Sequence, residues 1–188
     1  MRKFYFVGVL IIIDFLFSQL FLLNILEKNS VNANKASFEN RIFNENYKYT
    51  FNKLVNFKSL YYEKVYNIST NDLGFRDKDS KPIDRKKTYD IVIGDSFVEG
   101  VGLEYNDTIV GILNNNLNNQ DHKFLNAGVS SYSSYIYYKK IKNIIETNNN
   151  LQVKNIIVLL DKSDVLDDEK YLDEPLKFKN TKGQFINK

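Results

Sequence analysis

The stretch Tyr89-Asp90-Ile91-Val92-Ile93-Gly94-Asp95-Ser96-Phe97-Val98-Glu99-Gly100 decides how this 188-residue chain is read. Ile91, Val92 and Ile93 form an apolar, β-branched run, the pattern of a strand covered on both faces. Gly94 ends the run and admits a tight turn. Asp95 and Ser96 fall just past the strand's carboxyl end, the edge at which open α/β sheets bind ligands. A serine hydroxyl beside a carboxylate at that place is a candidate nucleophile. Gly-Asp-Ser is also an ordinary turn sequence, because Asp and Ser side chains bond their own backbone. The flanking chain therefore has to carry the argument.

Downstream, Gly100 and Gly102 mark a loop from Phe97 to Asn106. Asp107 or Asn106 is placed to cap a helix over about Thr108–Leu117, with Ile109, Ile112 and Leu113 on one face. Lys123–Gly128 reads as a second short strand. Ser133 or Ser134 then caps a helix over about Tyr135–Thr147, whose stripe is Ile136, Ile141, Ile144 and Ile145. Val153–Leu160 is a third strand, rich in Ile and Val, closing at Asp161. Strands alternating with helices imply βαβ units and a parallel sheet. The strand ends at Asp95-Ser96, Ala127-Gly128 and Asp161–Asp164 are expected to gather at one edge. Upstream, Asn71-Asp72-Leu73-Gly74-Phe75-Arg76-Asp77 is turn-rich, with Gly74 expected at positive φ. Arg76 is placed either to pair with an acidic group near the site or to cover the sheet edge.

Arg2 and Lys3 precede an apolar run from Phe4 to Leu26, interrupted by Asp14, Ser18, Gln19 and Asn24. As a helix the run is about 35 Å long, against a hydrocarbon core of about 30 Å. It is longer than a signal-peptide core, so a retained anchor over 1–27 is favoured over cleavage near Val31-Asn32-Ala33. The leading basic residues favour a cytoplasmic amino terminus, which puts the remaining chain on the outer side of the cytoplasmic membrane. Residues 28–70 are polar with interspersed aromatics (Tyr47, Tyr49, Phe51 and Phe57 among them). They read as a stalk that partly packs on an α/β domain over 71–188.

Composition narrows the function classes. There is no cysteine, hence no disulfide and no thiolate site. The net charge is +3 with basic residues scattered along the chain, so no nucleic-acid partner is expected. No metal and no cofactor is expected. The loop after Ser96 lacks a glycine pattern that opens directly into a helix, which sets phosphate binding aside.

Several separated blocks, in order, resemble the SGNH/GDSL hydrolase family. Gly94-Asp95-Ser96 is similar to its first block, with Ser96 as nucleophile and Asp95 beside it. Asn126-Ala127-Gly128-Val129-Ser130 is similar to its second, where Gly128 would lend a backbone N–H to the oxyanion hole. Leu159–Val165 falls where the third block lies, with Ser163-Asp164 in place of that block's Asn-Asp, so Ser163 would be the remaining oxyanion donor. Asn71–Arg76 resembles a segment that often precedes the first block in membrane-tethered members. The resemblance covers about residues 70–170. It implies a three-layer, flavodoxin-like parallel sheet, here incomplete at about three strands, preceded by the transmembrane helix. The family's late Asp-x-x-His block is missing. The single histidine, His122, stands before the second strand, at the wrong edge of the sheet to activate Ser96. The chain is thus expected to be the amino-terminal part of a longer enzyme.

The function these readings imply is a serine esterase or O-acyltransferase acting on acyl esters of cell-envelope glycans or lipids. The rival is an inactive relative that binds an acylated glycan as an envelope scaffold, with Tyr132 and Tyr135 among its contacts.

Overall fold

The computed structural model describes residues 18–19, 40–117, 121–173, 178–179 and 185–186. β1 (Arg41–Asn44) and β2 (Lys48–Phe51) form an antiparallel hairpin. β3 (Asn56–Tyr61), β4 (Lys64–Thr70) and β5 (Arg76–Asp77) follow. β6 (Thr88–Ile93) leads into α1 (Ser96–Glu99), a 3₁₀ turn (Tyr105–Asp107) and α2 (Ile109–Asn116). Then come β7 (His122–Asn126), α3 (Ser134–Thr147), β8 (Gln152–Val158) and α4 (Lys162–Asp173). β9 (Phe178–Lys179) and β10 (Phe185–Ile186) pair with each other.

The main sheet has six strands in the order β3-β4-β5-β7-β6-β8. β7, β6 and β8 are parallel, and β3, β4 and β5 are antiparallel to their neighbours. This overturns the expected three-layer, flavodoxin-like sheet of about three parallel strands. Half of the sheet is antiparallel, and most of it comes from residues 56–70, within the stretch expected to be a stalk. Short strands alternating polar and aromatic residues resemble a loosely packed linker until their partners are known. The expected transmembrane helix over 1–27 lies outside the described residues but for Ser18 and Gln19, and no helix among the described residues is long and apolar enough to cross a membrane.

β6, the centre of the parallel half, is buried on both faces, as its apolar run implies, whereas β8 is an edge strand that leaves Ile156 and Val158 exposed. In β6 the pleat sends Tyr89, Ile91 and Ile93 into one core, together with Leu125 and with Ile136, Tyr137, Ile141 and Ile144 of α3. Val92 faces the other way, against Val98 and Val110, with Phe124 and Ile157 flanking. The α3 core continues under the antiparallel half through Ile68 and Phe75, which the hairpin covers with Tyr47 and Phe51.

Two helix faces differ from expectation. In α2, Ile109, Ile112 and Leu113 stay substantially exposed, and Val110 and Gly111 are buried. Thr108, not Asp107 or Asn106, caps the helix by accepting the Gly111 N–H. In α3, Ile145 is exposed and Lys140 is buried. Gly74 has the expected positive φ, +73°. A Cβ there would lie 2.6 Å from the Phe51 carbonyl oxygen, so glycine answers both conformation and space.

One side chain joins the two halves of the sheet. Arg76 is fully buried, and its guanidinium donates to the carbonyls of Glu99 and Gly100 at 2.7 Å, and to those of Asn67 and Leu103. Among the described residues it pairs with no carboxylate; it closes the carboxyl end of α1, where cations are favoured. Arg76→Lys leaves several of these buried carbonyls without a donor, each worth about 1–3 kcal/mol. Urea unfolding should therefore show a stability loss above about 2 kcal/mol for this variant; a loss within experimental error would refute the role.

Candidate functional site at the carboxyl edge of the parallel strands

Ser96 opens α1 directly beyond the carboxyl end of β6 and is half-buried. The short helix forms because Asp95 caps it, Oδ1 accepting the Phe97 N–H at 2.9 Å. Gly100 ends it in the left-handed region. The Ser96 hydroxyl lies 3.5 Å from Asp95 Oδ2. Asp95 is buried, and burial lifts its carboxyl above the usual aspartate value, with Asp161 and Asp164 adding in the same direction.

The three strand ends do gather at one edge. Carboxylate oxygens of Asp95, Asp161 and Asp164 all lie within 4.8 Å of one another. The second loop packs against the serine helix so closely that a Cβ on Gly128 would stand 2.5 Å from the Glu99 nitrogen. Ala127 N donates to the Val92 carbonyl and Val129 N to that of Gly94, which lays the loop along the serine turn.

Both candidate oxyanion donors are engaged locally. The Gly128 N–H donates to Asn126 Oδ1 at 3.1 Å, and Asn126 Nδ2 donates to the Val98 carbonyl of α1 at 2.7 Å. Ser163 is exposed, and its N–H and hydroxyl both donate to Asp161 Oδ1, at 2.6 and 2.5 Å. These donors hold the Asp161 carboxyl below the usual range. Each member of the carboxylate cluster thus has its own donor. Asp164 accepts the Tyr137 hydroxyl at 2.8 Å and the Asp161 N–H at 2.9 Å. Burial raises the Tyr137 hydroxyl pKa, and the bond to Asp164 raises it further.

His122 stands at the opposite end of the sheet, in register with Thr88 at the start of β6. Its Nε2 lies 3.1 Å from Asp90 Oδ2, and Asn155 donates to the other oxygen of Asp90 at 2.8 Å. This trio ties β7, β6 and β8 together across the sheet. Among the described residues no imidazole reaches Ser96, and the base nearest to it is Asp95.

Sequence reading missed Glu99. It is buried, accepts the Ser130 N–H, and pairs with Arg41 of the hairpin at 3.2 Å. The only local signal was its place one turn after Ser96. Tyr132, expected as a glycan contact, is fully buried, with its hydroxyl on the Tyr49 carbonyl. Tyr135 is half-buried, its N–H donating to Asp168 at 2.8 Å.

No family model matches this chain, and no curated protein or solved structure matches it.

Asp95 carries a pH test. Its folded pKa is raised, so its protonated form is favoured in the fold, and the stability it contributes is lost as pH rises upward from the ordinary aspartate value of 3.8. Asp95→Asn keeps the cap and drops the charge. This variant should gain thermal stability relative to the native protein as pH rises through that interval, and Asp95→Ala should lie about 1 kcal/mol below the Asn variant at every pH because it also loses the cap. A constant difference between native and Asn proteins from pH 3 to 7 would sink the assignment.

Proposed function

We propose that this chain supplies the nucleophile of an acyl-transfer site acting on acyl esters of glycans or lipids, in the manner its resemblance to the SGNH/GDSL hydrolases implies. The observation that carries the reading is the convergence of the Ser96 turn, the Asn126–Ser130 loop and the Asp161–Asp164 turn at one sheet edge. Phe97 beside Ser96 and Leu160 beside Asp161 leave about two thirds of their surface exposed there, 69% and 65%, which offers apolar footing to an acyl chain.

In this mechanism Ser96 Oγ bonds to the ester carbonyl carbon as its proton passes to a base. The oxyanion that forms takes hydrogen bonds from backbone N–H groups, Gly128 among them once Asn126 releases it. The bond to the alcohol then breaks, and the alcohol leaves with the proton. Water or a sugar hydroxyl cleaves the acyl-serine in turn, giving hydrolysis or transfer. An imidazole suits the base, and His122, held by Asp90 at the opposite end of the sheet, does not supply it.

The second reading is a binding protein of the same architecture that holds an acylated glycan without turning it over. It is favoured by the engagement of Gly128 and Ser163 with Asn126 and Asp161. A fluorophosphonate probe separates the two. Labelling that disappears in Ser96→Ala supports acyl transfer. No labelling of the native protein, together with glycan binding that survives Ser96→Ala, supports the binding role.

A further inference from the structure

We propose that Lys140 is a positioning residue that holds the Ala127–Gly128 peptide against the serine helix from the core side. Lys140 lies on the buried stripe of α3, among Ile136, Tyr137, Ile141 and Ile144, and has no exposed surface. A lysine among such neighbours is costly unless its head group finds a partner. Nζ donates at 3.0 Å to the carbonyl of Ala127, just past the last residue of β7. The rings of Phe75 and Tyr132 each face it at 5.0 Å. The charged groups acting on it are Glu99 of α1 and Arg41 of β1, which pair with each other. The contacts leave Lys140 one carbonyl and two ring faces.

The bonded carbonyl belongs to the same planar unit as the Gly128 N–H. On its far side that N–H meets Asn126 Oδ1, and Asn126 Nδ2 meets the Val98 carbonyl of α1. A continuous path therefore runs from Lys140 through one peptide plane and one amide side chain to the helix that begins at Ser96. Withdrawing electron density at the carbonyl oxygen makes the N–H at the other end a better donor. Lys140 thus sets both the orientation and the donor strength of the group that would face an oxyanion. Its pKa is lowered to about 7, chiefly by burial, so its charge on the peptide changes near neutral pH.

The effect on catalysis rests on the acyl-transfer reading; the hold on the peptide does not. Ala127–Gly128 is the only Ala-Gly pair in the chain. Full-length protein carrying 13C-carbonyl alanine and 15N glycine thus yields one doubly selected resonance from this peptide. In the native protein it should shift with pH, with its midpoint well below the ordinary lysine value of 10.5. The shift should vanish in Lys140→Met, or in Lys140→Gln should the Met protein not fold. A resonance unmoved from pH 6 to 10 in the native protein, or one that titrates equally in the variant, would overturn the proposal; a packing role alone predicts no titration. Linkage gives a second readout. The unfolded chain binds more protons between about 7 and 10.5, so the native protein gains stability as pH rises through that window, and the Met variant should lack that gain. Fluorophosphonate labelling of Ser96 should slow about tenfold in Lys140→Met, the size expected for a weakened oxyanion donor. Absence of labelling in the native protein counts against acyl transfer alone and leaves the resonance to judge Lys140.

Discussion

The architecture depends on one buried guanidinium. Arg76 enters from a two-residue strand and spreads its donors over carbonyls of Asn67, Glu99, Gly100 and Leu103. Those oxygens belong to the antiparallel half, to the end of the serine helix and to the loop beyond it. β5 meets the parallel half through a single pair, Arg76 with Asn126. So short a ladder cannot hold two half-sheets in register alone, and the side chain of the same residue completes the junction. Burial lowers the Arg76 pKa, while Glu99 and Glu104 push it back up. An arginine tolerates such a site because its charge is delocalised over a fork of donors that several carbonyls can share.

The second layer of organisation is the loop from Ala127 to Ser133. Several of its polar groups are committed, although the buried Ser133 hydroxyl has no partner among the described residues. Val129 bonds to the serine turn, Ser130 to Glu99 through its N–H and to the Tyr49 hydroxyl through its carbonyl, and Tyr132 to the Tyr49 carbonyl. Arg41 stacks over Tyr49 and Phe51 while it pairs with Glu99. The hairpin thus presses the loop onto α1 from one side, and α3 supports it from below through Lys140. The surroundings of Ser96 are thus fixed by packing from the hairpin and from α3. Three carboxylates can crowd one edge because each already receives a proton donor from the protein.

The sequence by itself determined what depends on local periodicity and on turn chemistry. β6, β7, β8 and α3 stand close to where their apolar patterns placed them, because β-branched runs and a long helix leave continuous signals over many residues, even where, as in β8, the strand lies at an exposed edge. Gly74 at positive φ, Asp95 beside Ser96 and the gathering of the three strand ends follow from the same short-range rules. Only the tertiary structure decided the rest. β3 and β4 find their place by antiparallel pairing with each other and with β5, and a pairing partner leaves no mark in a strand's own sequence. The buried face of α2 is Val110, opposite Val92 and Val98, and Gly111, against the Tyr105 carbonyl, a placement no helical wheel contains. Lys140 carries no sequence signal of its own; only the fold sets the Ala127 carbonyl and two aromatic rings against it. Glu99 falls in a stretch that reads as a loop, and its partner Arg41 stands 58 positions away in the sequence. Long-range partners change the environment of a residue without changing its neighbours in sequence, and for this reason the site's supports were hidden while its serine was not.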